Sequence, residues 1–343
     1  MREAVSKFIS DREGIDFSTN EILIAAGGRP LIYALYRALV DKDDKVIYSV
    51  PSWNNNHYIH FVEGKHAIIE AKSENNFMPL AEEIKPHLKG AALIALCSPL
   101  NPTGTIFKKK ELEDICDLVL QENRERGPEE KKLYVMYDQM YWTLTYGEAE
   151  HYNPVSLRPE MKDFTIFIDG ISKSFAATGV RVGWALGPQH VLNKMKAINS
   201  HVGAWSPMAE QYATARYLQE TDAIDNYFDS YKRDLQIRLQ RIHEGFQRLK
   251  EEGFDVDSIA PQAAIYLTIQ FDLTGKTADG KSLTQQKEVT EYILNEAKLA
   301  VVPFYAFGAP KNSNWYRLSV GTCKIEEINE MLGNLKQALL KLS

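Results

Sequence analysis

The sequence contains few cysteines, no long hydrophobic run and no excess of positive charge. Its three cysteines, Cys97, Cys116 and Cys323, are too few and too scattered for a disulfide framework or a thiolate metal site. We interpret them as small buried hydrophobes and predict no metal. No stretch of about 18 apolar residues is present, which argues against a membrane-spanning helix. The formal net charge of −6 and the lack of a basic stripe argue against nucleic acid as a partner.

Signatures of dinucleotide binding and of protein export are also missing. The sequence contains neither a G-x-G-x-x-G fingerprint nor a P-loop. Residues 1–14 are charged and amphipathic, unlike a signal peptide. The composition, 44% hydrophobic and 25% charged, is typical of a globular enzyme with one large or two medium domains. We therefore predict a cytoplasmic enzyme.

Up to about residue 190, short apolar strands alternate with helices. The predicted strands are 21–26, 45–50, 66–70, 91–97, 133–137, 164–168 and 182–186, and the main helices are 1–13, 31–40 and 109–122. This alternation predicts the α/β class, with a mostly parallel sheet sandwiched by helices. Ligands of such sheets bind beyond the carboxyl ends of the strands.

Beyond residue 190 the pattern changes to longer helices and scattered strands. The predicted helices are 191–199, 207–218, 223–252, 285–297 and 325–342, and the predicted strands are 264–271, 300–302 and 315–320. We predict three parts: an N-terminal helix in residues 1–20 that packs with the small domain, a large domain in residues 21–235, and a smaller C-terminal α+β domain in residues 236–343.

One lysine stands just beyond a predicted buried strand. Lys173 lies in the stretch DGISKSFAATGVRVGW, which follows the strand 164–168. A lysine amine can form a Schiff base with a carbonyl, and Arg181, eight residues later, could fork onto phosphate oxygens. An isolated lysine at such a place is more often a solvated loop residue, so the assignment depends on its neighbours. A cofactor with both an aldehyde and a phosphate is pyridoxal phosphate.

Two turns that follow predicted strands carry further signals. Gly27, Gly28 and Arg29 precede a helix, and backbone N–H groups at a helix start attract anions. A bare Gly-Gly pair can also be no more than a structural turn. The tetrapeptide N-P-T-G, which begins at Asn101, follows a fully apolar strand and could likewise be turn chemistry alone.

Three other residues have both a structural and a functional interpretation. Asp138 ends a predicted strand three residues before Tyr141, and it could be a helix N-cap. Trp53 could be a core aromatic. Arg317 lies inside the apolar strand WYRLSVG, where an unpaired guanidinium is costly to bury, so a structural salt bridge is its alternative.

In their order along the chain, these motifs resemble those of the class I and II aminotransferases of pyridoxal-phosphate fold type I, over about residues 1–340. The most specific parts are N-P-T-G and the lysine motif S-K-x-F-x-x-x-G-x-R-x-G. The resemblance implies pyridoxal 5'-phosphate as the cofactor, with Lys173 bonded to its aldehyde and Arg181 on its phosphate. Many relatives carry a serine three residues before the lysine as a phosphate ligand. That position is Gly170 here, and we expect Ser172 to take part of the role.

The resemblance also implies a role for each remaining motif. The first phosphate-binding turn consists of Gly27, Gly28 and Arg29. Asp138 pairs with the pyridine nitrogen, and Tyr141 and Asn101 reach the ring oxygen. With Lys173, Asp138 and Tyr141 form the implied catalytic set.

The substrate side of the implied site is an α-amino acid site. Trp53 stacks on the cofactor ring, and Arg317 binds the substrate α-carboxylate with Asn101 and Trp53 beside it. The implied reaction moves an amino group between an α-amino acid and a 2-keto acid. No second arginine is assignable to a side-chain carboxylate, so the sequence does not single out aspartate.

The resemblance further implies a homodimer. Relatives usually have another segment before the helix that opens these 343 residues, and we expect its absence here to affect specificity. Two alternatives stay open at this point. One is a β-lyase or decarboxylase with the same fold and cofactor, and the other is a non-catalytic ligand sensor or scaffold.

Overall fold

The structure is a computed structural model that describes residues 1–278 and 280–343. Seven strands form the larger sheet, in the order β1-β7-β6-β5-β4-β2-β3. These strands are β1 (Ile22–Ala25), β2 (Lys45–Val50), β3 (Lys65–Glu70), β4 (Ala91–Cys97), β5 (Tyr134–Asp138), β6 (Thr165–Gly170) and β7 (Gly183–Leu186). Strand β7 runs antiparallel to both of its neighbours, and the other pairs are parallel. The prediction of a mostly parallel sheet is confirmed.

Within residues 1–278, nine helices precede or flank this sheet. They are α1 (Arg2–Glu13), α2 (Gly28–Leu39), α3 (Asn55–Phe61), α4 (Ala81–Ile84), α5 (Lys109–Glu125), α6 (Pro154–Leu157), α7 (Ile171–Ser174), α8 (Gln189–Val202) and α9 (Met208–Tyr217). Successive strand residues face opposite sides, so each strand contributes to two cores. In β2, for example, Ile47 lies in the core shared with α1 and α5, whereas Val46 lies in the core shared with α2, α3 and α8. The sheet is therefore sandwiched by helices, as predicted.

The C-terminal part forms a second, antiparallel sheet of four strands, in the order β12-β13-β9-β8. Its elements are α10 (Thr221–Glu251), β8 (Val256–Ser258), β9 (Tyr266–Phe271), the ribbon of β10 (Thr277–Ala278) and β11 (Lys281–Ser282), α11 (Gln286–Glu296), β12 (Val302–Pro303), β13 (Trp315–Ser319) and α12 (Ile328–Leu340). Helix α10 buries Phe228 in the core of the larger sheet and Leu235 in the core of the smaller one. The domain boundary near residue 235 stays a prediction, and this change of core supports it.

Helix α1 packs against the larger sheet and its loops. The Phe8 ring lies 6.0 Å from the ring of Trp142 and 6.4 Å from that of Trp184. The expectation that this helix packs with the small domain is therefore corrected. Its apolar stripe, which includes Val5 and Ile9, finds its apolar partners in the core of the large domain.

Candidate active site

A cleft of about 500 Å³ opens at the carboxyl ends of β4, β5 and β6, where β9 and β13 of the second sheet face it. Its volume is in the range of small-molecule and cofactor sites. The cleft is lined by most of the predicted site residues, namely Gly28, Arg29, Trp53, Asn101, Asp138, Tyr141, Ser172, Lys173, Arg181 and Arg317. Sequence motifs that are up to about 290 positions apart therefore meet in one place, because the ends of parallel strands share one edge of the sheet.

Lys173 is half-buried in the short helix α7, directly after β6. Burial lowers the pKa of its amine, and the positive charges of Arg317, Arg29 and Arg181 lower it further. Both causes favour the neutral amine, which is the form that attacks a carbonyl and accepts a proton.

One end of the cleft is built to hold an anion. The Arg181 guanidinium donates hydrogen bonds to the carbonyls of Thr178 and Ala26, each at 2.7 Å. Gly27 lies beneath it with φ +87°, and a Cβ there would be 2.3 Å from Nη2 of Arg181. Gly27 is thus outside the cleft lining but allows Arg181 to approach it. Helix α2 begins at Gly28, so its free N–H groups add positive potential at the same end.

Close packing of two strands explains the glycine at position 170. A Cβ on Gly170 would lie 2.8 Å from Cα of Gly183 and 2.8 Å from the carbonyl oxygen of Val182. A serine would not fit there without a shift of the β6–β7 backbone. Ser172 is buried and lines the cleft, and its share in binding the phosphate stays a prediction.

Asp138 lies at the end of β5 and lines the cleft. Its Oδ1 accepts a hydrogen bond from the backbone N–H of Met140 at 3.1 Å. Burial raises the pKa of this carboxyl to about 6. No helix begins between residues 139 and 153, so the N-cap interpretation of Asp138 is wrong. A cation beside this carboxylate would compensate the cost of its burial.

Arg317 has free hydrogen-bond donors although it is enclosed by protein. Its Nη1 donates to Oδ1 of Asn101 at 2.9 Å, and its buried Nε has no partner among the described residues. The guanidinium carbon lies 4.6 Å from the ring centre of Tyr266 and 4.8 Å from that of Phe307. Within residues 1–278 and 280–343, no carboxylate forms an ion pair with the Arg317 guanidinium. Among the described residues, the structural salt bridge considered for Arg317 is therefore wrong. A bound carboxylate would satisfy the free Nε.

Trp53 lines the cleft beside two arginines. Its ring centre is 5.7 Å from the guanidinium of Arg29 and 5.8 Å from that of Arg317. The Phe307 ring, 6.1 Å away, packs beside it. The indole therefore forms an apolar wall next to two positive charges.

Five lining residues were not predicted from the sequence. They are Ile32, Cys97, Met140, Thr178 and Tyr266. Among them, Tyr266 forms a hydrogen bond with a predicted site residue, since its hydroxyl oxygen lies 2.6 Å from that of Tyr141. Local sequence patterns do not contain this contact, because the two tyrosines are 125 positions apart.

The cleft is not the largest cavity that the structure describes. A cavity of about 780 Å³ lies around Glu13 and His151, with Arg12 and Lys232 in its wall. Burial raises the pKa of Glu13 to about 8 and lowers that of His151 to about 3. None of the motif residues lines it, so volume alone does not identify the site.

The residues of the cleft fit pyridoxal phosphate. Lys173 provides an amine with a lowered pKa, and the start of α2 provides backbone N–H groups for a phosphate. Asp138 provides a buried carboxylate that a cation would stabilise, and Arg317 provides a free Nε. In the part of the chain that is described, no cluster of three or more histidine, cysteine or acidic side chains could hold a metal ion. No helix within residues 1–278 and 280–343 is long and apolar enough to cross a membrane.

Comparisons with known proteins show which family the chain belongs to. The family described as aminotransferase class I and II matches residues 1–335. An aspartate aminotransferase of Bacillus sp. (strain YM-2) is 30% identical over 309 residues, which cover 89% of this chain and 74% of the relative. The aspartate aminotransferase of Rhizobium meliloti has the same fold, with a TM-score of 0.89 at 24% identity over 100% of this chain and 82% of that one. An aromatic aminotransferase of Pyrococcus horikoshii OT3 has a TM-score of 0.87 at 25% identity, covering 99% and 85%. The predicted resemblance is confirmed: the chain belongs to the class I and II aminotransferase family.

Proposed function

We propose that this pyridoxal-phosphate-dependent aminotransferase holds its cofactor on Lys173 and uses the Lys173 amine to move the proton in each half of the reaction. The proposal rests chiefly on the convergence of Lys173, Asp138, Arg181 and Arg317 on one cleft. When bound, pyridoxal phosphate supplies an aldehyde that bonds to amines and a ring that withdraws electrons from the substrate α-carbon.

The residues around the cofactor would divide the remaining work. Arg181 and the start of α2 would bind the phosphate. Asp138 would face the ring nitrogen and keep a proton on it, and Tyr141 with Asn101 would donate to the ring oxygen. Because burial and three guanidinium groups lower the pKa of Lys173, its amine can accept a proton from the α-carbon and return it.

Arg317 would bind the α-carboxylate of the amino acid. Its Nε and Nη2 are directed as a fork, and Asn101 already fixes Nη1. A carboxylate held at two points fixes the α-carbon relative to the ring, which is what makes proton removal productive. Trp53 would cover the ring from the side of the two arginines.

We infer that the preferred donor is a dicarboxylic amino acid such as aspartate. Arg29 lines the cleft beside Trp53 and makes no hydrogen bond or ion pair with another described side chain. It supplies the second guanidinium that the sequence alone did not assign to a side-chain carboxylate. Several relatives are aspartate aminotransferases, which supports the same inference.

A half-reaction tests both the chemistry and the donor. We expect aspartate, added without a keto acid, to remove the visible absorbance of the bound cofactor, and 2-oxoglutarate to restore it. Alanine should react at least about tenfold less efficiently, because a charge-assisted hydrogen bond contributes about 1.5–3 kcal/mol. Arg29→Met should reduce that difference. Steady release of ammonia without a keto acid would instead establish a lyase.

We also propose that the enzyme is a homodimer. Large apolar side chains in and near α9 are exposed, including Trp205 by 59%, Met208 by 86% and Tyr212 by 67%, and a two-fold partner would cover them. Light scattering should give about twice the chain mass of 39.0 kDa. A particle of 39.0 kDa at micromolar concentration with the cofactor present would contradict the proposal.

We place the enzyme in the cytoplasm, which is supported by its three free cysteines, Cys97, Cys116 and Cys323. Recovery of the protein from an extracellular fraction would contradict this location.

A further inference from the structure

Two tyrosines from different sheets meet inside the cleft. Tyr266 begins β9 of the smaller sheet, and Tyr141 lies in the turn after β5 of the larger sheet. Both side chains are buried, their rings are 5.5 Å apart at 65°, and their hydroxyl oxygens are 2.6 Å apart. Burial raises the pKa of both hydroxyls, so both remain protonated at neutral pH.

The segment that carries Tyr266 is fixed against both sides of the cleft. The hydroxyl of Thr268 donates to the carbonyl of Thr103 at 2.8 Å, in the loop that begins with Asn101. The backbone N–H of Ala264 donates to the carbonyl of Leu144 at 2.8 Å, three residues beyond Tyr141. The hydroxyl of Tyr266 is therefore placed by backbone contacts and not only by its own side-chain packing.

The ring of Tyr266 has a second neighbour. Strand β13 pairs with β9 so that Arg317 lies opposite Thr268. The Arg317 guanidinium carbon is 4.6 Å from the Tyr266 ring centre, well within the range of a cation–π contact. One side chain thus contacts both the hydroxyl of Tyr141 and the guanidinium of Arg317.

The direction of the tyrosine hydrogen bond depends on what else Tyr141 binds. Without a ligand, either hydroxyl can donate. When an anionic oxygen in the cleft accepts a hydrogen bond from Tyr141, the Tyr141 hydroxyl donates its only proton to that oxygen. The hydrogen bond between the two tyrosines then requires the Tyr266 hydroxyl as the donor. A donated hydrogen bond polarises the Tyr141 hydroxyl and makes it a stronger donor to the next oxygen.

From this geometry we infer that Tyr266 is a positioning residue with two separable roles. Its hydroxyl acts through Tyr141 and strengthens the hydrogen bond to the ring oxygen of the cofactor. Its ring supports the guanidinium of Arg317 and so the binding of substrate carboxylates. The inference rests on the proposed function, since it takes pyridoxal phosphate to be the ligand of Tyr141.

The roles are tested with Tyr266→Phe, which removes only the hydroxyl, and Tyr266→Ala, which also removes the ring. Tyr292→Phe is the matched control, because Tyr292 is a partly buried tyrosine of α11 that donates to the carbonyl of Ala338 in α12 and does not line the cleft. Each holoenzyme is titrated with acid and base while its visible absorbance is recorded. The dissociation constant of succinate, a dicarboxylate that does not react, is measured separately.

Tyr266→Phe should raise the pH midpoint of the absorbance change by about 0.5 to 1 unit, the equivalent of one net hydrogen bond. The sign follows from the charge of the ring oxygen of the cofactor. Without the Tyr266 hydroxyl, Tyr141 is a weaker donor to this oxygen and stabilises its negative charge less. The neighbouring nitrogen that joins the cofactor to Lys173 then holds its proton more tightly and loses it at higher pH. Succinate affinity should stay within about twofold in Tyr266→Phe and fall about tenfold in Tyr266→Ala, where the cation–π contact is lost. The other ionisable groups around the pair, Asp138, Cys97 and Arg317, are the same in all variants.

Three outcomes would overturn the inference while leaving the proposed function intact. They are a wild-type midpoint in Tyr266→Phe, an equal shift in Tyr292→Phe, and unchanged succinate affinity in Tyr266→Ala. The proposed function itself would be contradicted if the wild-type holoenzyme showed no visible cofactor absorbance that amino donors change. The two failures are therefore distinguishable.

Discussion

Replacing Lys173 with alanine should abolish transamination, with a fall in rate of at least about 10⁴-fold. The substitution removes both the covalent attachment of the cofactor and the general base, and a well-placed general acid–base group alone contributes about 10²–10⁴-fold. Arg181 and the start of α2 remain, so the variant should still bind the cofactor non-covalently.

The measurement compares turnover with aspartate and 2-oxoglutarate in Lys173→Ala and in a control. Lys110→Ala suits this purpose, since Lys110 is exposed, forms an ion pair with Asp114 on α5 and lies outside the cleft. We expect wild-type turnover in the control. Turnover in Lys173→Ala within about tenfold of wild type would contradict the assignment of Lys173.

Replacing Asp138 with alanine should reduce the rate by at least about 10²-fold while the cofactor stays attached to Lys173. The carboxylate is proposed to hold a proton on the ring nitrogen, and a protonated ring withdraws electrons more strongly. A loss of about 3 kcal/mol is typical when a preorganised electrostatic partner is removed from an active site.

The charge of Asp138 can be separated from its packing. Asp138→Asn keeps the size of the side chain and its acceptor for the Met140 N–H, but it cannot carry a negative charge. We expect Asp138→Asn to be slowed about as much as Asp138→Ala. A near-normal rate in Asp138→Asn would mean that position 138 contributes shape and not charge.

Most of the fold is predictable because its strands are short, apolar and buried on both faces. Each strand of the larger sheet lies within two residues of its predicted bounds. Helix α3 was missed, since it begins in the polar run Asn54 to Asn56, and asparagine disfavours helices locally. Tertiary contacts form it, including the burial of Tyr58 and Ile59 against the sheet.

The site is predictable to the extent that its residues lie next to strand ends. Asn101 and Lys173 closely follow β4 and β6, and Asp138 ends β5. Parallel strands bring these ends together at one edge of the sheet. The contact of Tyr266 with Tyr141 depends on how the second sheet docks on the first, which no local pattern encodes. The same holds for α1, whose apolar stripe was evident but whose partner, the core around Trp184, was not.

The central claim is that Lys173 carries the cofactor, and chemical trapping tests it most directly. Protein incubated with pyridoxal phosphate is reduced with borohydride, digested and mapped by mass spectrometry. We predict one labelled peptide, with the pyridoxyl group on Lys173, and no label there after a saturating amino donor has been added before reduction. Labelling of a different lysine, with Lys173 unmodified, would contradict the account.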